Sequence, residues 1–279
     1  MEPAVPLHRV AAGVVVVGLQ VADCRSHVHP DLPVLPCGDR IGHRAGYAAL
    51  DGRMTVQVVD VSKSYLAFGR RHYVFRDLNL TFPKGRNIGV IGPNGSGKST
   101  LLRLIAGAEE PDKGYIARDI RLSWPLGFAG AFNMGLSGVA NARFFARLYG
   151  KNPNEVVEFT AEFSELADFL QWPVRAYSTG MRAKFAFALS MAIDFECLLI
   201  DEILGVGDAA FRAKCAAALA ERQSRCNIIL VSHNLKDVLR MCDRVVILGG
   251  PQPIISDDVR NTVKRYALML GNVQEALEL

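Results

Sequence analysis

The sequence predicts an α/β fold with a largely parallel sheet, and two observations carry that prediction. Short apolar runs rich in β-branched residues recur along the chain: residues 55–61, 87–91, 197–201, 227–232 and 244–249. Segments with apolar residues at helical spacing lie between or beside them: residues 99–107, 141–150, 155–170, 182–193, 209–222 and 235–242. Strands that alternate with helices are joined by crossover connections, so they pair in parallel and are buried on both faces.

Composition limits the class of protein. A chain of 279 residues that is 50% hydrophobic can bury one large core or two modest ones. The formal charge of +4 is spread along the chain, and the densest basic stretch, residues 69–76, is typical of a solvated face rather than of a nucleic-acid site. The six cysteines form no C-x-x-C pair, which indicates free thiols in a reducing compartment. No apolar run reaches the roughly 18 residues that a bilayer span requires.

The chain changes character near Met54. Residues 1–53 contain five of the 13 prolines and four of the six histidines, but no lysine and no phenylalanine. No period of 2 or 3.6 persists there beyond one valine run, so we expect no packed domain. The hypothesis is that the functional protein begins at Met54, and that the preceding segment is either disordered or a misplaced start.

The rest of the chain divides by pattern. Residues 54–250 hold the alternating strands and helices, and residues 125–195 within them are nearly all helical. This predicts a helical subdomain inserted into an α/β core. Residues 251–279 contain one more helical period and are expected to form a C-terminal helical tail.

A glycine-rich segment, GPNGSGKST, follows the apolar run at 87–91 and precedes a helical one. It fits the phosphate-binding pattern G-x-x-x-x-G-K-[ST]. Glycines let backbone N–H groups wrap the phosphates, Lys98 places a positive charge on the β and γ oxygens, and the Ser99 hydroxyl ligates Mg²⁺. The alternative is a glycine-rich turn without a ligand, but the strand before it and the helix after it match the context of the motif. The predicted nucleotide contacts are Gly92, Pro93, Asn94, Gly95, Ser96, Gly97, Lys98, Ser99 and Thr100.

Two further strand ends carry polar groups that a triphosphate site needs. CLLIDE ends in Asp201, which is expected to hold Mg²⁺ directly or through water, and Glu202, which is expected to orient and activate the attacking water. His233 in VSHN follows another apolar strand and is expected to donate to the transferring phosphate. Taken alone, the acids are as well explained as a loop start and the histidine as a partner of a backbone carbonyl.

Residues 177–181, YSTGM, are small and polar where a helical run begins. Ser178 can cap that helix by accepting a hydrogen bond from a first-turn N–H group. The exposed N–H groups and the helix dipole can instead receive an anion. This segment by itself leaves both interpretations open. The order of motifs along the chain, a phosphate loop, then STG, DE and SH, favours the phosphate-contact role of His233.

These elements together resemble the ATP-binding cassette (ABC) family of transporter ATPases over residues 54–250. GPNGSGKST is similar to its Walker A loop, CLLIDE to its Walker B strand and YSTGM to its signature motif. The resemblance places the D-loop aspartate at Asp208, the switch histidine at His233 and the aromatic residue that stacks on adenine at Tyr65, which could otherwise be a half-buried strand tyrosine. It implies a P-loop NTPase ABC cassette with a RecA-like core, an antiparallel β subdomain and an inserted helical subdomain.

In this family the signature helix of one cassette faces the γ-phosphate held by another. The resemblance therefore implies a homodimer that sandwiches ATP, in which Ser178 and Gly180 contact the nucleotide of the partner copy. One feature departs from the family, because residues 101–170 contain no glutamine for its glutamine loop. Asn133 has similar chemistry on a shorter arm and is the candidate for that place.

The segments 124–132 (followed by 136–150), 177–191 and 201–215 closely resemble the ATPase subunits of bacterial exporters of capsular and related polysaccharides. That resemblance implies a Mg²⁺-dependent ATPase at the cytoplasmic face of the inner membrane, bound to two copies of a permease subunit and to no nucleic acid. Aromatic and small residues at 124–149 would then receive the cytoplasmic helices of the permease. The alternative is that these aromatic residues form the core of the helical subdomain.

Three other functions are compatible with parts of this sequence. An ABC ATPase could act on soluble machinery such as ribosomes or DNA, but the chain has neither a second cassette nor a long coiled-coil insert. The missing glutamine is compatible with a regulatory subunit that binds ATP without turnover. An exporter of O-antigen, teichoic acid or another glycan would keep the class and change the cargo.

Overall fold

A computed structural model describes residues 54–67, 69–126, 130, 132–201, 208–223, 225–272 and 276–277. The hypothesis about residues 1–53 concerns a segment outside the described residues. Among the described residues, no helix is long and apolar enough to cross a membrane.

Three strands form an antiparallel sheet in the order β2-β1-β4: β1 (Met54–Ala67), β2 (Arg70–Pro83) and β4 (Lys113–Arg118). The apolar run at 55–61 belongs to this sheet and not to the parallel one. The reason is its connection, because only two residues separate β1 from β2, and so short a link permits only antiparallel pairing.

The other apolar runs form a six-stranded sheet in the order β5-β6-β7-β3-β8-β9. Its pairs β6–β7, β7–β3 and β3–β8 are parallel, and the edge strand β9 is antiparallel to β8. The strands are β3 (Ile88–Ile91), β5 (Leu122–Leu126), β6 (Cys197–Asp201), β7 (Asn227–Val231), β8 (Arg244–Ile247) and β9 (Ile254–Ser256). The parallel core that the alternating pattern predicts is therefore present.

Seven α-helices lie in the described residues: α1 (Lys98–Ala106), α2 (Gly138–Leu148), α3 (Pro153–Ser164), α4 (Thr179–Ala192), α5 (Ala209–Gln223), α6 (Leu235–Met241) and α7 (Val259–Met269). The helical period at 155–170 is interrupted, because α3 ends at Ser164 and Glu165 adopts the left-handed conformation with φ 61°. A 3-10 turn, Ala167–Phe169, follows.

The described residues form two compact units, and one contains both sheets, apart from Leu126, together with α1, α6 and α7. In its core, Leu101 and Leu104 of α1 pack in one cluster with Val90 of β3 and Leu199 of β6. Burial of each such side chain contributes about 1.5–3 kcal/mol to stability. The core thereby holds α1 against the parallel sheet, with the start of the helix at the carboxyl edge of the strands.

The other unit consists of described residues from 126–194 and 208–216, including α2, α3 and α4. An aromatic cluster fills its centre, where Phe132 packs edge-to-face against Phe145 and Phe185, and Tyr177 against Phe185. For Phe132 and Phe145, which belong to the aromatic residues at 124–149, the interpretation as core is confirmed.

Candidate functional site

The glycine-rich turn lies between β3 and α1. Gly95 and Gly97 have φ values of 80° and 94°, in the left-handed region that favours glycine. A Cβ at Gly97 would lie 2.5 Å from Cγ1 of Val74 and 2.6 Å from Cζ of Phe75. Both the backbone conformation and the close approach of β2 therefore require glycine at this position.

Polar groups inside the turn are arranged for an anion. Nζ of Lys98, which is buried, donates to the carbonyl oxygens of Gly92 and Pro93 at 2.8 and 3.0 Å. Oγ of Ser96 is buried and has no hydrogen-bond partner in the part of the chain that the structure describes. The N-cap residue of α1 is Gly97, which has no side chain to cap the first-turn N–H groups. A phosphate chain fits this turn, because it supplies acceptors for the Ser96 hydroxyl and the first-turn N–H groups and a negative charge for Lys98.

The two predicted metal ligands lie side by side. Oγ of Ser99 donates to Oδ1 of Asp201 at 3.4 Å. Ser99 is at the start of α1 and Asp201 ends β6, and both are at the carboxyl edge of the parallel sheet. A hydroxyl and a carboxylate oxygen are ligands that Mg²⁺ accepts, so the residues present fit this ion. Glu202 is outside the described residues.

The predicted histidine follows β7, the strand between β6 and β3 in the sheet. His233 is exposed, and the next residue, Asn234, caps α6 by accepting from the N–H of Lys236 at 3.0 Å. Because β3, β6 and β7 are parallel, His233 is at the same sheet edge as the glycine-rich turn and Asp201.

Tyr65 is partly buried on β1, and its hydroxyl reaches α1. The hydroxyl donates to Oε2 of Glu109 and lies 3.5 Å from Oγ1 of Thr100. Nη2 of Arg103 approaches it at 3.4 Å. The sequence pattern did not predict Arg103 or Glu109 as partners of Tyr65. The spacing of three residues from Thr100 to Arg103 places them on one helix face and is a weak signal for Arg103, whereas nothing in the sequence indicates Glu109.

The start of α4 carries the STG segment. Ser178 is the N-cap, and its side chain accepts from the N–H of Met181 at 3.1 Å, so the capping interpretation is confirmed. Ser178, Thr179 and Gly180 are exposed, and the first turn of α4, all of it described, contains no acidic residue. The positive end of the helix is therefore also open to an anion.

Asp208 precedes α5 in the same compact unit as α4. Its Oδ1 accepts from the N–H of Phe211 at 2.8 Å, and Nζ of Lys184 lies 3.9 Å from Oδ2. The hydrogen bond from Phe211 lowers the pKa of the Asp208 carboxyl, and the charge of Lys184 acts in the same direction. Asp208 is thus held as a carboxylate.

Asn133 forms a local turn. Its Oδ1 accepts from the N–H of Gly135 at 3.0 Å, and its own N–H donates to Oδ1 of the buried Asn141 at 2.9 Å. The amide oxygen that would act in a glutamine-loop role is therefore engaged within its own loop.

Large apolar side chains are exposed on the unit that contains α2–α4. Phe144 and Trp172 are about half exposed, at 51% and 50%. Phe169 packs edge-to-face on Trp172 with ring centroids 5.1 Å apart. Within 124–149, Trp124, Phe132 and Phe145 are instead buried, and Phe128 is outside the described residues.

Comparisons of the sequence and of the fold with known proteins point to the same family. The family model described as "ABC transporter" matches residues 75–205. The chain is 46% identical over 196 residues to the polysialic acid transport ATP-binding protein KpsT of Escherichia coli, covering 70% of this chain and 90% of that protein. It is 46% identical over 211 residues to the capsule polysaccharide export ATP-binding protein CtrD of Neisseria meningitidis serogroup B, covering 76% and 98%.

A solved structure shares the fold. It is the dimeric post-hydrolysis state of the ATP-binding cassette MJ0796 bound to ADP and Pi, with a TM-score of 0.58 and 19% identity, covering 72% of this chain and 97% of that chain. The predicted cassette fold is confirmed by this likeness.

Proposed function

This chain belongs to the ABC transporter family, and we propose that it is the ATPase subunit that powers export of capsular or related polysaccharide across a bacterial inner membrane. The observation that carries the proposal is the turn at 92–97, which requires glycine at position 97 and is followed by the buried Lys98. The buried hydroxyl of Ser96 in this turn has no hydrogen-bond partner among the described residues. The relatives named for polysialic acid transport and capsule polysaccharide export support the cargo class.

Within one chain, the turn would bind the phosphates through its backbone N–H groups, and Lys98 would leave the carbonyl oxygens of Gly92 and Pro93 to contact the β and γ oxygens. Tyr65 would stack on the base. Ser99 and Asp201 would hold Mg²⁺, which when bound neutralises charge on the phosphates. Glu202 would orient the attacking water, and His233 would donate to the transferring phosphate.

A second copy is needed to complete each site. One chain carries one phosphate-binding turn and one STG helix start, so two copies placed head to tail would complete two sites. Ser178 and Gly180 would then contact the γ-phosphate of the partner's ATP through the open end of α4, and Asp208 would lie at the interface. ATP binding would close the dimer and hydrolysis would reopen it.

The proposed membrane partner is a permease present in two copies, at the cytoplasmic face of the inner membrane. Phe144 on α2 and the pair Phe169 and Trp172 are exposed apolar side chains of the kind that bind protein helices. Because these side chains belong to the unit that carries the STG helix, movement of that unit would reach the permease directly.

Glu202→Gln tests the proposal. For a working ATPase we expect phosphate release to fall by about 10² or more, by analogy with the loss of other positioned transition-state groups. We also expect ATP to convert the purified variant from monomer to dimer in light scattering. Glu158→Gln, an exposed glutamate on α3, is the matched control and should match wild type in both assays.

Each alternative outcome has a distinct meaning. A wild-type chain that binds Mg·ATP but releases no phosphate, alone or with its permease, would identify a regulatory subunit. Unchanged turnover in Glu202→Gln would remove Glu202 from its role. A variant that stays monomeric with ATP would contradict the sandwich dimer.

A further inference from the structure

The hydroxyl of Tyr65 is the centre of a charged network on α1 and the turn that follows it. It donates to Oε2 of Glu109, whose Oε1 accepts from Nε of Arg103 at 2.5 Å. Nη2 of Arg103 also donates to Oγ1 of Thr100 at 3.2 Å. The tyrosine is therefore tied through Arg103 to the same helix that begins with Lys98 and Ser99.

The network has enough partners to hold its shape. Nζ of Lys63 lies 3.7 Å from Oε2 of Glu109 and 5.4 Å from the centre of the Tyr65 ring. The N–H of Glu109 donates to the carbonyl oxygen of Arg103, which fixes the turn that carries the carboxylate. The side chains of Arg103 and Glu109 are 30% and 25% exposed, so water screens them only in part.

Burial raises the pKa of the Glu109 carboxyl, but the hydrogen bonds from Tyr65 and Arg103 and the charge of Arg103 outweigh burial, and the net pKa is lowered. Glu109 therefore stays a carboxylate at neutral pH and keeps accepting from the Tyr65 hydroxyl.

We propose that Arg103 and Glu109 are positioning residues for the nucleotide base, which act by anchoring the hydroxyl of Tyr65 to α1. The inference rests on the proposed function, in which the ring of Tyr65 stacks on the base. A ring anchored at its far end has a fixed distance from the phosphate-binding turn, so less side-chain freedom is lost when a nucleoside triphosphate binds.

The anchor makes the hydroxyl of Tyr65 as important as its ring. A phenylalanine keeps the stacking surface but has no group to donate to Glu109. Tyr65→Phe and Glu109→Gln should therefore weaken ATP binding alike, and the double variant should be no worse than the weaker-binding single variant, because both break the same link. Loss of the anchor should raise the Kd for ATP about 3- to 10-fold.

Inorganic tripolyphosphate separates positioning from structural support, because it occupies the phosphate-binding turn and has no base. Its Kd, measured by calorimetry on the full chain, should be unchanged in Tyr65→Phe, Glu109→Gln and Arg103→Lys. Glu110→Gln is the matched control, since Glu110 is the exposed neighbour of Glu109, and should leave both Kd values unchanged. Tyr65→Ala removes the ring, so it should raise the Kd for ATP and leave the Kd for tripolyphosphate unchanged. This variant therefore measures the contribution of stacking.

An unchanged Kd for ATP in Tyr65→Phe, a variant that keeps the ring, would overturn the inference even if Glu109→Gln fails to fold. An equal loss of affinity for tripolyphosphate would mean that Arg103 and Glu109 only stabilise α1, and it would also overturn the inference. If Tyr65→Ala binds ATP normally, the stacking role of Tyr65 is wrong. If the wild type binds neither ligand, the proposed function itself fails, and the inference fails with it.

Discussion

Oγ of Ser99 lies 3.4 Å from Oδ1 of Asp201, although 102 positions separate the two residues in the chain. They meet because β3 and β6 are both parallel to β7, so the helix that follows β3 and the last residue of β6 reach the same edge of the sheet. This contact joins the two halves of the predicted metal site, and it leads to the first prediction.

Asp201→Asn should shift the Mg²⁺ dependence of ATP hydrolysis. An amide is a weaker ligand than a carboxylate and carries no charge, so we expect the Mg²⁺ concentration for half-maximal turnover to rise about 10- to 100-fold. The measurement is phosphate release across a Mg²⁺ titration. Asp119→Asn, an exposed residue of the same unit, should leave the titration unchanged. An Asp201 variant with the wild-type titration would exclude Asp201 as a ligand.

Lys98→Met should reduce phosphate release by about 10² or more, because the variant keeps most of the side-chain volume and loses the charge that contacts the β and γ oxygens. The variant also loses the hydrogen bonds to the carbonyl oxygens of Gly92 and Pro93. Turnover should be compared with that of Lys84→Met, in an exposed turn. Equal turnover in the two variants would contradict the role of Lys98.

Gly97→Ala should be more destabilising than a glycine substitution with the same backbone conformation in open space. A Cβ at Gly97 collides with Val74 and Phe75, whereas one at Gly85, with φ 78°, meets nothing within 4 Å. We expect a loss of about 2–4 kcal/mol for Gly97→Ala and about 1 kcal/mol for Gly85→Ala. Urea unfolding measures both values, and equal losses would show that the close packing beside the turn is unimportant.

Two substitutions at Ser178 separate its capping role from its proposed contact with ATP. Ser178→Ala removes the bond to the N–H of Met181 and should cost about 1 kcal/mol in urea unfolding. Ser178→Asp keeps a cap and adds a charge that suits a helix N-terminus, so its stability should equal or exceed that of wild type. Its carboxylate should nevertheless repel the γ-phosphate and abolish ATP-dependent dimers in the Glu202→Gln background. Normal dimers of that variant would leave Ser178 with a capping role only.

Four cysteine thiols should be unreactive in the native protein. Burial raises the pKa of Cys215 and of Cys242 to about 12, and it raises the pKa of Cys197 and Cys226 as well. Since the thiolate is the reactive form, a raised pKa leaves very little of it at pH 8. In a Cys24→Ser, Cys37→Ser variant, thiol titration at pH 8 should therefore be slow until urea is added. Rapid labelling without denaturant would contradict the burial of these side chains.

Much of the site could be predicted from the sequence, because its chemistry is local. A phosphate-binding turn depends on consecutive residues, in which glycines supply the left-handed conformations and the next helix supplies N–H groups. The same holds for Ser178, whose cap depends on a residue three positions away. These features need no knowledge of distant contacts, and the family resemblance follows from their order along the chain.

Other features could not be read from the pattern. The period at 155–170 indicates one helix, yet α3 ends at Ser164 because Glu165 turns left-handed. Aromatic residues close in sequence differ in burial, since Phe145 is in the core and Phe144 is exposed. A spacing of apolar residues predicts a face but does not say what covers it.

The sequence by itself determined the phosphate-binding turn, the helix start at Ser178 and the alternation of strands and helices, because each depends on the conformational preferences of neighbouring residues. Only the tertiary structure decided that β1 also pairs with the distant strand β4, that Ser99 meets Asp201, and that the Tyr65 hydroxyl is held by Arg103 and Glu109. Those contacts depend on how strands and helices far apart in the chain pair and pack. The conformational preferences of neighbouring residues contain no information about which distant elements will pair.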